Sequence, residues 1–255
     1  PSIILVDEAG QIPLAQGALI GALGSGTVVL IGDDLQMTPI FHEKLVSDAL
    51  SVSIFAYLSS LYPEFKNVLK ITYRMNNEIT EIVSKKFYQP YGITLKASDF
   101  SVHRTLEINS SCGDKRIDNI LKSTQSIHQI DVSKYDSWQD ENHEEANFIS
   151  LLVKSALNSG IMKQNIAVIT PYRRQVKIIR QFVISALGSN RDIPLIDTVE
   201  RLQGQDVDLI IISLSITDKL YWKQQEQFVL NPNRLNVMLS RAKKKVIIVG
   251  KYQIL

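Results

Sequence analysis

A single cysteine, Cys112, stands among 255 residues. No intrachain disulfide can form, and such sparing use of thiols fits a reducing compartment. Cys112 therefore reads as peripheral rather than catalytic. His42, His103, His128 and His143 are scattered, and beside one thiol they show no metal-ligand spacing. No apolar run approaches membrane-spanning length and no charged-apolar-small leader is visible, so the chain reads as intracellular, cytoplasmic or nuclear. Charge of one sign is also missing. The balance of 28 Lys and Arg against 26 Asp and Glu leaves +2, which neither requires nor excludes a polyanionic partner, whose contact surface can be local. Two glycine motifs are absent as well. Lacking Gly-x-Gly-x-x-Gly, the chain is not expected to be a dinucleotide-binding enzyme. Lacking Gly-x-x-x-x-Gly-Lys-[Ser/Thr], it has no backbone cradle for a triphosphate. Pro1 stands before an apolar run with no initiator Met, so the expectation is a piece of a longer protein.

What is present is ordinary globular composition, 45% hydrophobic and 21% charged. Short β-like runs recur at 2–6, 27–32, 67–72, 127–132, 165–170, 195–199, 208–215 and 245–250, with helical patterns between several of them. Alternation of this kind predicts an α/β fold with a mainly parallel sheet. Residues 142–157 place Ile149, Leu152, Val153 and Ala156 on one helical stripe. Residues 172–187 do the same with Val176, Ile179, Val183 and Ala186, leaving Arg173, Arg174, Lys177 and Arg180 elsewhere on the surface. The polar stretch 90–126 has weak periodicity and reads as irregular, and Lys243, Lys244 and Lys245 read as flanking the last strand.

Five stretches carry chemistry. "SIILVDEAG" (2–10) is an apolar run, without alternation, that ends in Asp7 and Glu8. It reads as a strand buried on both faces, with two carboxylates at the carboxyl end, where ligands of parallel sheets collect. "IGDDLQMTPI" (31–40) again leaves an apolar run and presents Gly32, Asp33 and Gln36. "TYRMNNE" (72–78), "DTVERLQGQDVDLIIIS" (197–213) and "NPNRLNVMLSRAKKKVIIVG" (231–250) follow. In the last, Asn231 suits an N-cap and Pro232 the first helical position. Leu235, Met238, Leu239 and Ala242 form a stripe there, with Arg234 and Arg241 on one edge of it.

In order and spacing these stretches resemble motifs II, III, IV, V and VI of superfamily 1 helicases, in the branch of the nonsense-mediated-decay RNA helicase and its DNA-directed relatives. The resemblance leaves out 90–160. It implies a RecA-like P-loop NTPase fold, with the end of a first RecA-like domain over 1–65 and a nearly complete C-terminal one over 66–255. ATP would be held between the two. By the same resemblance Asp7 holds Mg²⁺, Glu8 orients and deprotonates the attacking water, and Gln36 senses the γ-phosphate. Arg74 and Arg241 are similar to arginine fingers and Tyr73 to the aromatic that stacks on the base. Gly204, Asp206 and Arg234 belong to the nucleotide-contacting motifs. Thr38, Thr170, Pro171, Tyr172, Arg173, Arg174 and Thr198 would lie along a single-stranded DNA or RNA. For the helix cations the alternative is a solvated face.

Two positions depart from the family. "QMTP" replaces Gln-Leu-Pro-Pro, which puts the coupling role of that loop in question, and Asp206 replaces Glu, which shortens its reach. The expectation is the C-terminal part of an ATP-dependent, 5′-to-3′ helicase or translocase. Its partner would be the remainder of the parent chain carrying the phosphate loop, and without that loop the piece should be inactive alone. The competing reading is a nucleic-acid-binding or scaffolding module of helicase fold without ATP turnover.

Overall fold

The computed structural model describes residues 2–24, 26–39, 52–109, 114–134, 140–190, 192–202 and 204–255, so Cys112 and His42 lie outside the described residues. The chain forms two compact units: Pro1–Leu69 with Pro232–Asn236, and Lys70–Asn231 with Val237–Leu255.

In the first unit, β1 (Ile3–Val6) and β2 (Thr27–Leu30) pair in parallel, with Ile3 opposite Thr27 and Val6 opposite Leu30. Both strands therefore end at one edge. Helix α1 (Leu14–Ala22) links them. Helix α2 (Ile54–Leu61) starts at Ser53, whose hydroxyl accepts the Ala56 N–H at 3.0 Å and satisfies one of the free amides of the first turn. The two-sided burial expected for β1 is not found. Only Val6 is buried, while Ile3 and Leu5 are more than half exposed, because among the described residues β1 has a single neighbouring strand and no helix cover on both faces.

The second unit is built on a five-stranded, all-parallel sheet. Its order is β5 (Ile127–Ile130), β9 (Ala242–Val249), β8 (Val207–Ser213), β6 (Ile166–Ile169) and β7 (Leu195–Asp197). Here burial on both faces does hold. Ile166, Val168, Leu209, Ile211, Ile247 and Val249 join a core with α5 (His143–Asn158) and α6 (Arg173–Leu187), and Ala167, Ile169, Ile210, Ile212, Val246 and Ile248 are just as buried. Continuous β-branched runs are what such strands require. The chain leaves β6 outward to β7 and leaves β8 outward to β9, so the order reverses between β6 and β8. In open α/β sheets, ligands collect at the carboxyl ends beside such a reversal.

Two readings need correction. Within 90–126 the chain makes β4 (Lys96–Ala97), which pairs with β3 (Ile71–Thr72), and helix α4 (Lys115–Lys122). Asp114 caps α4 by accepting the Arg116 and Ile117 amides, and Ile117, Ile120 and Leu121 are buried. Their i, i+3, i+4 spacing behind an N-cap aspartate was the available signal. Nor does Lys245 flank a strand. It lies inside β9, 1% exposed, and its ammonium donates to the carbonyls of Ile120, Ser123 and Gln125 at 2.7–3.0 Å. Burial lowers its pKa to about 8, against the raising influence of Glu78. A cation at the last carbonyls of α4 is favourably placed toward the helix dipole.

Candidate nucleotide and nucleic-acid sites

In the first unit the candidate groups sit where β1 and β2 end together. The Ala9 amide donates to the Ile31 carbonyl at 2.8 Å, which ties the two following loops to each other. The approach is too close for side chains, since a Cβ on Gly32 would lie 2.8 Å from the Gly10 nitrogen. Asp7 and Glu8 are exposed, and Asp7 Oδ1 accepts the Glu8 amide at 2.9 Å. Glu8 has φ 52 and ψ 35, a left-handed conformation shared among the described non-glycine residues only with Ser215. That conformation costs roughly 1–2 kcal/mol for an ordinary residue, and such strain clusters at functional positions. Gln36 Nε2 donates to Asp33 Oδ2 at 2.7 Å, while the other Asp33 oxygen takes the Leu35 amide at 3.0 Å, so Asp33 shapes the loop that carries Gln36. Thr38 is exposed.

In the second unit the guanidinium groups gather at the amino edge of the sheet. Helix α8 (Pro232–Ser240) ends one residue before Arg241, which stands in the link to β9, 6% exposed. It is therefore no solvated flank of the helix. Arg234, in the part of α8 that belongs to the first unit, is half-buried. Arg74 Nη1 donates to the Ser240 carbonyl at 3.3 Å, and Arg74 Nε is buried without a partner among the described residues. Tyr73 projects with its side chain 63% exposed. Asp206, just before β8, binds Lys243 at 2.8 Å. The Lys243 hydrogen bond holds its carboxyl below the usual range against the cost of burial, helped by attraction to Lys243, Arg74 and Arg241. Its carboxylate is thus engaged by Lys243. Gly204 lies in the same approach to β8 with φ 74.

The residues expected to meet a polynucleotide in this unit sit at the opposite, carboxyl edge. Thr170 follows β6 and Thr198 follows β7, and the Thr170 amide donates to the Asp197 carbonyl at 3.3 Å. They do not all reach the surface. Thr170 is fully buried, with its hydroxyl 3.4 Å from that of Ser215. Tyr172 is also buried, its ring 5.8 Å from that of Phe228, which is the more exposed of the two. Pro171 is half-buried. Arg173 and Arg174 open α6 and are exposed, Arg174 pairing with Asp140 at 3.5 Å. The seven residues of β8 keep the two edges about 20 Å apart at ~3.3 Å per residue.

A family model described as an AAA domain matches residues 50–253. The chain is 31% identical over 265 residues to the DNA replication ATP-dependent helicase/nuclease dna2 of Schizosaccharomyces pombe, covering 96% of this chain and 18% of that protein. It is 30% identical over 260 residues to the uncharacterized ATP-dependent helicase MJ0104 of Methanocaldococcus jannaschii, covering 99% and 36%. With the ATP-dependent helicase upf1 of S. pombe the identity is 29% over 260 residues, covering 99% and 27%. The chain belongs to the superfamily 1 helicases, in the Upf1-like branch. It has the α/β, RecA-like fold of that family and spans between 18% and 36% of the length of these relatives. No helix among the described residues is long and apolar enough to cross a membrane.

Beneath the carboxyl edge of the sheet lies a buried polar hub that sequence reasoning missed. Glu145, fully buried in the first turn of α5, accepts the Ser213 hydroxyl at 2.6 Å and the Ser215 amide at 3.0 Å on one oxygen. Gln175 exchanges hydrogen bonds with the Asn142 backbone at 2.7 and 3.0 Å and donates to the Ser213 hydroxyl at 3.0 Å. Asn142 caps α5 by accepting the Glu145 amide at 3.0 Å. Burial pushes the Glu145 carboxyl up to about 7, against the lowering effect of these donors and with Asp131 adding to the rise. The only sequence signal was Asn142 three residues before Glu145, a helix start.

Proposed function

We propose that this chain is the C-terminal part of the motor of an ATP-dependent helicase or translocase, moving 5′-to-3′ on single-stranded DNA or RNA. The observation that supports it best is the guanidinium set at the amino edge. Arg241 is buried and Arg74 carries a buried Nε without a partner among the described residues, which suits the oxygens of a triphosphate, bound by fixed guanidinium forks. Asp7 alone is a sparse donor set for a metal, and the described residues hold no cluster of three or more metal-binding side chains. That fits Mg²⁺, which takes one or two carboxylates and completes its shell with phosphate oxygens and water.

On this reading Asp7 would hold Mg²⁺, and Glu8 orients and deprotonates the attacking water. Held there, Mg²⁺ would supply positive charge against the phosphate oxygens. Gln36, able to donate and accept, senses the γ-phosphate. Arg74 and Arg241 meet the charge that develops on the transferred phosphoryl group, while Tyr73 stacks on the base. Asp206 orders the arginines by its own charge, Gly204 shapes the approach to β8, and Arg234 supports the nucleotide. Thr38, Pro171, Arg173 and Arg174 track the polynucleotide, and Thr198, buried just past the end of β7, supports the turn beside them. Thr170 and Tyr172 shape the turn from beneath.

The phosphate loop would come from the remainder of the parent chain. The 255-residue chain is therefore expected to hydrolyse ATP negligibly. Metal-dependent turnover by the purified chain, abolished by Glu8→Gln, would place a complete catalytic site within it and overturn this reading. In the parent, no turnover with or without polynucleotide would favour a scaffolding module instead.

Arg173→Ala with Arg174→Ala should weaken single-strand binding across all sequences. It should also make the salt dependence shallower by about 0.7 for each phosphate that the variant no longer neutralises. The Asp140 pair does not stand in the way, since exposed ion pairs are worth at most about 1 kcal/mol. Fluorescence anisotropy with labelled oligonucleotides over a salt series reads the slope. An unchanged slope removes these arginines from the contact surface.

A further inference from the structure

We propose that Arg104 is a positioning residue for ATP turnover, fixing the backbone from which Tyr73 and Arg74 project; this rests on the function proposed above. Arg104 comes from the stretch to which the motif resemblance does not extend. Residues 73–76, between β3 and helix α3 (Asn77–Val83), have neither helix nor strand to satisfy their backbone, and half-buried carbonyls must find donors elsewhere. Thr80 of α3 donates its amide and its hydroxyl to the Asn76 carbonyl at 3.0 and 2.7 Å, and the carbonyls from Thr72 to Arg74 find their donors in 98–104. The Thr72 carbonyl takes the Ser98 amide at 2.9 Å and the Ser101 hydroxyl at 3.2 Å. The next two carbonyls, of Tyr73 and Arg74, both take Arg104 Nη1, at 2.9 and 2.8 Å.

The clamp is itself clamped. The Arg104 amide donates to the Ser101 carbonyl at 3.0 Å, and its carbonyl accepts Asn76 Nδ2 at 2.9 Å. Asn76, 3% exposed, also donates its amide to the Lys243 carbonyl at 3.1 Å and its Nδ2 to that of Lys244 at 3.0 Å, which ties the loop to the start of β9 beside Arg241. Three consecutive carbonyls drawn to one side fix the directions of the intervening side chains. Tyr73 is left projecting, and Arg74 lies against the Ser240 carbonyl.

A guanidinium serves here because its hydrogen bonds to carbonyls are charge-assisted and its rigid plane fixes the direction of Nη1, which makes both bonds. Without it, water would take the two carbonyls and the loop would lose its fixed course. Misplacement of a catalytic group by about 1 Å can cost ~10²-fold in rate.

The test is a cycle of variants in the full-length helicase: Arg104→Ala, Arg104→Lys, Arg74→Ala, and Arg74→Ala with Arg104→Ala. Polynucleotide-stimulated kcat and KM for ATP are measured for each, together with single-strand affinity and Tm. Arg104→Ala should lower kcat roughly 10–100-fold with single-strand affinity unchanged, and Arg104→Lys, keeping one donor nitrogen and the charge on a more flexible stem, should recover part of it. Because Arg104 acts through Arg74, the double variant should turn over no more slowly than Arg74→Ala alone. Wild-type kcat in Arg104→Ala, or a double variant slower than Arg74→Ala by the full Arg104→Ala factor, overturns the positioning role. A loss of Tm in Arg104→Ala with no recovery in Arg104→Lys does so as well. Normal turnover in Arg74→Ala removes Arg74 from the catalytic set, whereas absence of polynucleotide-stimulated turnover in the wild-type parent overturns the proposed function itself, so the two failures are distinguishable.

Discussion

Replacing Arg241 by alanine in the full-length helicase should reduce ATP turnover by roughly 10³–10⁵, the range that arginine fingers supply in phosphoryl transfer, while single-strand affinity stays near wild type. The rate loss corresponds to about 4–7 kcal/mol of transition-state stabilisation. In the proposed role such a loss falls on kcat, because the charge that Arg241 would meet develops only as the reaction proceeds. Burial strengthens the expectation: at 6% exposure the guanidinium acts where water screens it little. Strand affinity should hold because Arg173 and Arg174 occupy the other edge of the sheet. Arg241→Lys is the informative companion. It keeps the charge but not the fork, so turnover should remain well below wild type. Steady-state turnover and a salt series of oligonucleotide binding check both halves. Normal turnover in Arg241→Ala removes it from the catalytic set, and a parallel loss of single-strand affinity would show that the two edges do not act separately.

Local pattern made much of the fold legible. The apolar runs at 165–170, 208–215 and 245–250 become β6, β8 and β9, since strands buried on both faces must be continuously aliphatic. The stripes at 142–157 and 172–187 become α5 and α6 within a residue or so, because the period of a helix is written in its apolar positions. What stayed hidden depends on partners distant in sequence. Lys245 looks like one of three surface lysines until α4, over a hundred residues earlier, offers its last carbonyls. Arg104 looks like any surface arginine until the carbonyls of Tyr73 and Arg74 are left without other donors. For the candidate sites, the motifs named residue types in order. Sequence order could not say that Thr170 and Tyr172 are buried beneath their turn while Arg173 and Arg174 stand outside it. Glu145 was least visible of all, since a glutamate in the first turn of a helix is ordinarily a solvated N-terminal charge.

That glutamate makes the stability of the fold depend on pH in the acid-to-neutral range. In the unfolded chain its carboxyl titrates near 4.5, and in the folded one burial raises it to about 7. The folded state therefore binds the extra proton between those values. A carboxyl raised in this way contributes its full stability below pH 4.5, and the contribution is lost as pH rises through 7. At about 1.4 kcal/mol per pH unit across the interval, the loss comes to about 3 kcal/mol, an order-of-magnitude figure. Above pH 7 an ionised carboxylate must be held among α5, β8 and the first turn of α6, stabilised by the Ser213 hydroxyl and Ser215 amide. Glu145→Gln keeps the shape and the acceptor but has no charge to bury. Relative to wild type, the variant should gain about 3 kcal/mol between pH 4.5 and pH 8. Urea unfolding at a series of pH values, followed by tryptophan fluorescence, measures that difference, and every other titrating group cancels between the two proteins. A constant difference across the series would mean that the carboxyl keeps its ordinary acidity. The same series bears on the polynucleotide edge, because Glu145 holds Ser215 in its left-handed conformation beside Thr170. Ionisation strengthens the acceptor that both serines donate to, so single-strand affinity of the wild type should rise from pH 5.5 to 8 relative to that of Glu145→Gln. Identical pH profiles for the two proteins would confine the hub to stability.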